Sequence, residues 1–270
     1  MTSTAQHGGP FYNRGHFLKV IASGGTDIGK RRGHNEDSFG VFDDLGLYIV
    51  ADGMGGHAAG EVASGAAVET LHDFIAATAG SEDTTWPYER DEKLSRTANR
   101  LAVGIRLANK VIFEKSHAEQ EKSGMGTTIV AALVDGDDLQ VAHVGDSRVY
   151  VFSQGALKRI TADHSYVGEL VASGQITEEQ ARSHPFRNIV TRALGTKLDV
   201  KVDIGRHRAA PGDIFLLCSD GLTGMVRDDE LAKIINRESD NLTTCVSHLI
   251  EAANKNGGDD NITAVLVRVV

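Results

Sequence analysis

Leu47-Tyr48-Ile49-Val50-Ala51-Asp52-Gly53-Met54-Gly55-Gly56-His57 is an apolar run that breaks into an acidic, glycine-rich turn. Consecutive apolar residues bounded by turn residues read as a buried strand, which leaves the Asp52 carboxylate where strand meets loop. The same junction recurs. Residues 214–218 run into Ser219-Asp220-Gly221, Asp259-Asp260-Asn261 leads into the apolar stretch 262–270, and a further acidic motif stands at Asn35-Glu36-Asp37. Two carboxylates about 4 Å apart repel by roughly 4 kcal/mol at the effective dielectric near a protein surface, so a cluster at strand ends is tolerable mainly with a neutralising cation. Donors that are all oxygen, without a Cys or His cluster, point to Mg²⁺ or Mn²⁺ rather than Zn²⁺.

At 270 residues the chain lies near the upper limit for a single core, and one large domain over 17–270 is expected. Residues 1–16, rich in Gly, His and Asn, read as a partly disordered lead-in with none of the basic-then-apolar pattern of a secretory signal. The hydrophobic fraction of 41% is that of an ordinary globular protein, and no apolar run reaches the roughly 18 residues a membrane span requires, so a cytoplasmic protein is expected. A formal net charge of −9 argues against nucleic acid or an anionic membrane as partner, since both need clustered Lys and Arg. Cys218 and Cys245 fall in an apolar strand and an amphipathic helix, where free buried thiols are expected. The basic run Lys30-Arg31-Arg32 abuts the first acidic motif, either as a solvated patch or as the anion-recognising half of a site.

Apolar spacing predicts helices over 61–76 and 92–117, then strands over 127–134, 139–144, 148–152 and 156–160. The short connections 135–138, 145–147 and 153–155 predict antiparallel hairpins. Residues 162–196 loosen into two short helices, the second opened by Thr177 and Gln180 in capping-box spacing, and read as a lid. Strands near 200–204 and 214–218, helices near 229–236 and 242–254, and a terminal strand complete an α+β pattern.

Singly these motifs are weak: an Asp-Gly pair is most often only a turn, and Gly145-Asp146-Ser147-Arg148 reads equally as a bare hairpin turn. The 53–60 stretch lacks the Gly-Lys-Ser/Thr ending of a phosphate-binding P-loop. In order, however, Arg32-x-x-Asn35-Glu36-Asp37, Asp52-Gly53-Met54-Gly55-Gly56-His57, Gly124-Met125-Gly126-Thr127-Thr128, Gly145-Asp146-Ser147-Arg148, Ser219-Asp220-Gly221 and Asp260-Asn261-Ile262-Thr263 resemble the metal-dependent protein phosphatases of type 2C. Asp163-His164-Ser165, His184-Pro185 and Arg187-Asn188 resemble the bacterial branch.

The resemblance implies a four-layer αββα sandwich, two antiparallel sheets flanked by helices. It also implies a protein serine/threonine phosphatase that cleaves phosphoserine and phosphothreonine esters with a metal-bridging hydroxide at a binuclear Mn²⁺ or Mg²⁺ centre. By that resemblance Asp52 bridges the metals, Asp220 and Asp260 complete the first site, and the Gly53 carbonyl binds the second. Glu36 and Asp37 act through metal-bound waters, Asp146 with Asp220 holds a possible third ion, and Arg32 grips the phosphate. Animal members carry a His where this chain has Met54, which cannot donate a proton. His57 is either a water-orienting group or a loop histidine, and the leaving-group acid is left unassigned. The expected partners are phosphoproteins made by a cognate Ser/Thr kinase, acted on by a monomer. The alternatives are an inactive regulatory pseudophosphatase and a small phosphate-ester hydrolase; the complete set of carboxylates with Arg32 favours an active enzyme.

Overall fold

A computed structural model describes residues 18–55, 59–80, 85–118 and 120–270. The lead-in 1–16 and His57 lie outside the described residues. The chain first forms β1 (Val20–Asp27), β2 (Asp37–Phe42), β3 (Leu47–Met54), α1 (Ala59–Ala77) and α2 (Arg96–Ala118). Next come β4 (Gly126–Thr127), β5 (Ile129–Asp135), β6 (Asp138–Val144), β7 (Arg148–Ser153), β8 (Ala156–Arg159), α3 (Tyr166–Ala172) and α4 (Glu178–Arg182). It ends with β9 (Asp203–Arg208), β10 (Ile214–Cys218), α5 (Asp220–Thr223), α6 (Asp228–Glu238), α7 (Leu242–Lys255) and β11 (Ile262–Val269).

One sheet has the order β2-β3-β5-β6-β9, with β4 paired to the end of β3, and the other β1-β11-β10-β7-β8; every strand pairing is antiparallel. The run that opens β3 serves two cores because strand side chains alternate. Leu47, Ile49 and Ala51 pack with Leu71 and Ile75 of α1 and Leu101 and Ile105 of α2. Tyr48 and Val50 turn the other way, against Phe215, Val265 and Val149 of the second sheet. A third core joins Leu216 and Leu266 to Leu231, Ile235 and Leu249 beneath α6 and α7. The result is the expected αββα layering, each fully buried aliphatic side chain contributing about 1.5–3 kcal/mol. Cys218 and Cys245 are buried and unpaired.

Local contacts move several boundaries. α2 starts at Arg96, not 92, because Asp91 Oδ1 accepts from Lys93 N–H (2.9 Å) and Ser95 Oγ accepts from Ala98 N–H (3.1 Å), an Asx-turn followed by an N-cap. The strand expected over 127–134 is divided at Thr128, whose N–H donates to Asp52 O (2.8 Å) instead of continuing the ladder. The strand expected at 200–204 runs as Asp203–Arg208, since Val200 and Val202 pack on the α1/α2 core first. β1 and β2, which periodicity did not mark, are stabilised by long ladders on β11 and β3.

The largest correction concerns Gly145-Asp146-Ser147. The connections 135–138 and 153–155 do close hairpins, but this one joins β6 in the first sheet to β7 in the second. Gly145 adopts φ +109°, and a Cβ there would lie 2.5 Å from Thr128 Cβ. Ser147 Oγ meets Thr128 Oγ1 at 2.7 Å. The turn is thus pressed against the strand region that carries Asp52. Gly145→Ala should lower stability by about 2–4 kcal/mol, combining left-handed strain with overpacking. Differential scanning calorimetry should then show a drop of several degrees in Tm; an unchanged Tm would mean the turn relaxes freely.

Candidate metal centre

Antiparallel register places Asp37, first residue of β2, opposite Asp52 near the end of β3. β10 ends at Cys218 and Asp220 opens α5, while Asp260 sits two residues before β11. Asp146 lies on the crossover between sheets. Strand ends, strand starts and the crossover therefore deliver Asp37, Asp52, Asp146, Asp220 and Asp260 from both sheets to one end of the sandwich, and Glu36 joins them.

Neutral hydrogen-bonding groups fix this arrangement. Asp37 is buried, and its Oδ2 accepts from Ser219 Oγ (2.8 Å) and Thr263 Oγ1 (2.6 Å), which tie the first sheet to the second. Thr263 N–H in turn donates to Ser219 Oγ (3.0 Å). The Asp52 carbonyl accepts from Thr127 Oγ1 (2.9 Å) and Thr128 N–H (2.8 Å). Asn261 Oδ1 accepts from Glu36 N–H (2.8 Å), while its Nδ2 donates to the carbonyls of Ile28 (3.0 Å) and His34 (2.9 Å). Backbone closeness matters as well: a Cβ on Gly60 would lie 2.4 Å from Glu36 Oε1, and one on Gly53 2.2 Å from Gly60 O.

Charge is crowded. Burial, and then the carboxylates of Asp37, Asp220, Asp146 and Asp260, push the Asp52 acid well above the ordinary range. Burial raises Asp37 to about 7, with Asp220 and Asp260 adding to it against the Thr263 and Ser219 hydrogen bonds. Burial followed by Asp220 raises Asp146 to about 8. Burial and Asp260 raise Asp220. Burial also raises Glu36, opposed by the Gly60 backbone and Arg32. Asp37 Oδ1 and Glu36 Oε1 are buried without a hydrogen-bond partner among the described residues. An unsatisfied buried acceptor costs about 1–3 kcal/mol, more when charged. Unpaired oxygens among mutually repelling carboxylates fit hard divalent cations and their waters, with no nitrogen or sulfur donor in the set.

Arg32 reaches this centre, as its position in sequence suggested. Its Nη2 donates to Asp260 Oδ2 at 2.7 Å, and the hydrogen bond to Asp260 raises its already high pKa. Met54 closes β3 beside Gly126 and offers no proton. The sequence motifs contained Ser219, Thr263 and Asn261, but nothing in their spacing announced the grip they exert on Asp37 and Glu36.

A second polar cluster, built from four separate segments, was not foreseen. Ligand-type atoms of His143, His164 and Asp203 lie within 4.8 Å of one another. Their cation is already in place: Arg192 Nη1 donates to Asp203 Oδ1 at 2.8 Å and lies 3.0 Å from His164 Nε2. His164 Nδ1 accepts Gly145 N–H (3.0 Å), so the ring proton sits on Nε2, facing Asp203 Oδ2 at 3.3 Å. Burial, His143 and Arg192 lower His164 to about 4, which keeps the ring neutral. The cluster is a clasp between the start and end of 162–196 and β9, rather than a metal site.

The raised carboxyls give a signed pH dependence. An acid whose folded pKa exceeds its unfolded value contributes stability that is complete below about 3.8 and is lost as pH rises through the folded pKa. With Asp37 at about 7 and Asp146 at about 8, chelator-treated protein should lose Tm as pH rises from 5 to 8.5. Mn²⁺ should restore it, and Asp52→Asn with chelator at pH 8 should melt no lower than wild type. A flat or rising Tm across that window would contradict the clustering.

The family profile described as Protein phosphatase 2C matches residues 25–266. The chain is 42% identical over 249 residues to "Serine/threonine phosphatase stp" of Listeria monocytogenes, covering 90% of this chain and 93% of that one. It is similar to the crystal structure of serine/threonine phosphatase Stp1 from Staphylococcus aureus, with a TM-score of 0.82 and 35% identity over 98% of this chain and all of that one. The catalytic domain of serine threonine protein phosphatase PstP in complex with two manganese ions superposes with a TM-score of 0.78 and 34% identity, covering 93% of this chain and 98% of that one. A profile match over nearly the whole sandwich, with relatives this similar over nearly their full length, places the chain in the protein phosphatase 2C family.

Proposed function

We propose that this chain is a metal-dependent protein phosphatase that hydrolyses phosphoserine and phosphothreonine esters. The observation that carries the reading is the convergence of five aspartates from two sheets on one end of the fold, with the Arg32 guanidinium 2.7 Å from one of them. The relatives are named serine/threonine phosphatases, and one related catalytic domain binds two manganese ions. Asp52, Asp220, Asp260 and the Gly53 carbonyl would hold two Mn²⁺ or Mg²⁺ ions, Glu36 and Asp37 would act through their waters, and Asp146 with Asp220 would hold a third. When bound, such cations lower the pKa of a shared water and take up charge from the entering and leaving oxygens.

The protein's own groups do the rest. Ser219 and Thr263 hold one oxygen of Asp37 and leave Oδ1 to accept a hydrogen bond from water. Arg32 presents a planar fork, charged at any working pH, to two phosphate oxygens. Residues 17–270 act as one catalytic unit, with 162–196 as a lid that screens substrates; this segment contributes none of the proposed metal-centre carboxylates and carries Tyr166 and Phe186 exposed. Among the described residues no helix is long and apolar enough to cross a membrane. We read the protein as a cytoplasmic monomer that reverses a cognate Ser/Thr kinase.

Turnover of a phosphopeptide should vanish with chelator and return with Mn²⁺ or Mg²⁺, because such all-oxygen sites exchange metal readily. Full activity with no metal found by elemental analysis would defeat the proposal, and activity confined to small phosphate esters would favour the hydrolase alternative. Arg32→Ala should raise KM for a phosphopeptide by tens-fold, the loss of a charge-assisted contact of about 1.5–3 kcal/mol. Steady-state kinetics with an unchanged KM would remove Arg32 from the phosphate site.

A further inference from the structure

Beside the carboxylate centre lies a small basic cavity that the catalytic reading does not use. Its volume is about 220 Å³, and Thr191, Arg192, Thr196, Lys197, Asp199 and Lys201 line it. Three cations, Arg192, Lys197 and Lys201, fall within ten residues of this wall. The acids nearby are already engaged: Asp199 pairs with Arg106 (3.9 Å), and Asp203 with Arg192 (2.8 Å) and Lys201 (3.8 Å). Lys197 makes no ion pair among the described residues.

Arg192 is pre-oriented in a way that surface cations are not. Its Nη1 hydrogens are taken by Asp203 Oδ1 (2.8 Å) and Lys201 O (3.2 Å), with His164 packed behind. Its Nε and Nη2 make no hydrogen bond among the described residues. These two atoms form one edge of the guanidinium, the edge that pairs two parallel donors with a carboxylate or phosphoryl group. The surrounding backbone is fixed too: Asn109 of α2 donates to the carbonyls of Lys197 (3.1 Å) and Leu198 (2.9 Å) and accepts from Gly195 N–H (2.9 Å). Little entropy is left to lose in the Arg192 side chain and in the backbone around it when an anion binds, and the exposed Lys197 and Lys201 close on it from the rim.

The cavity is close to the chemistry. A Cβ placed on Gly126 would lie 3.2 Å from Thr196 Cγ2 and 3.6 Å from Met54 Cγ, so the cavity wall and the residue two positions beyond Asp52 are near neighbours. Two strand residues plus that gap keep the Thr196 wall of the cavity within roughly 15 Å of Asp52, a reach of up to about five residues of extended peptide at about 3.3 Å each. We propose that this cavity is an anion subsite of the phosphatase, which takes a carboxylate or a second phosphoryl group of the same peptide three to five residues from the scissile phosphate. The subsite rests on the phosphoprotein reading above and adds the substrate class to it: peptides with an acidic or second phosphorylated residue at that spacing.

The test compares substrates on one protein. A phosphothreonine peptide with neutral flanks is measured beside versions carrying one Asp, or one non-hydrolysable phosphonate mimic of phosphoserine, three to five residues to either side. The acidic versions should show about tenfold higher kcat/KM at one of these positions, mainly through KM, and the gain should shrink with salt. A larger gain with the phosphonate than with Asp assigns the site to a phosphoryl group, and an equal or smaller one to a carboxylate. In Lys197→Ala/Lys201→Ala and in Arg192→Gln the acidic-to-neutral ratio should fall to within about twofold of unity, and because it is a ratio, partial loss of folded protein does not affect it. No preference at any position in the wild type, or a preference that survives both variants, overturns the subsite while leaving the phosphatase reading intact. Failure to cleave any phosphopeptide while small esters are hydrolysed overturns both.

Discussion

Repulsion among carboxylates is the constraint around which this fold is arranged. Five aspartates from different strand ends share one end of the sandwich, and burial with mutual repulsion raises the acids of Asp37, Asp52, Asp146 and Asp220. Among the described residues Arg32 is the cation that forms an ion pair with these carboxylates, through Asp260, and Arg148 only offsets the field at Asp146 and Asp220. Neutral groups take over the positioning instead: Ser219 and Thr263 donate to Asp37, Asn261 Oδ1 accepts the Glu36 N–H, Thr127 donates to the Asp52 carbonyl, and Thr128 Oγ1 accepts the Asp52 N–H. Hydroxyls and amides hold the geometry without cancelling the charge that a divalent cation needs.

The same residues fasten the two sheets to each other. Asp37 begins a strand of one sheet, and its two donors come from the edge of β10 and from β11 in the other. The Gly145 crossover makes the second link, with Thr128 touching both Asp52 and Ser147. Sandwich sheets packed only through aliphatic side chains can slide by small amounts, because dispersion contacts are non-directional. Hydrogen bonds at the carboxylate end fix the relative position of the sheets where an error of about 1 Å would disperse the cluster.

The segment 162–196 is anchored at both ends and open between them. Arg148 and Asp163 form a largely buried pair at 2.6 Å, and removing either partner of such a pair typically costs about 3–5 kcal/mol. At the other end Arg192 closes on Asp203 beside His164, whose ring in turn accepts the Gly145 amide. The exposed Tyr166 and Phe186 lie between these anchors. One clasp therefore serves both the segment 162–196 and the turn that bears Asp146, and it orients the Arg192 guanidinium at the basic cavity.

The sequence by itself determined most of the helices and strands and the carboxylates that the fold gathers. Helical periodicity marked α1, α2, α6 and α7, apolar runs marked β3, β10 and β11, and Asp52, Asp220 and Asp260 were legible because each adjoins a run that has to be buried. The Thr177–Gln180 spacing likewise formed its capping box, a contact between residues close in the chain. Tertiary structure alone decided what depends on residues far apart. β1 and β2 draw their stability from pairing partners, with β1 laid on β11 at the opposite end of the chain. The 145–147 turn reads as a hairpin locally and crosses between sheets because β6 and β7 find different neighbours. The grip of Ser219 and Thr263 on Asp37, and the assembly of His143, His164, Arg192 and Asp203, carry no local signal, since hydrogen bonds across some 180 or more residues or among four segments leave no periodicity to read.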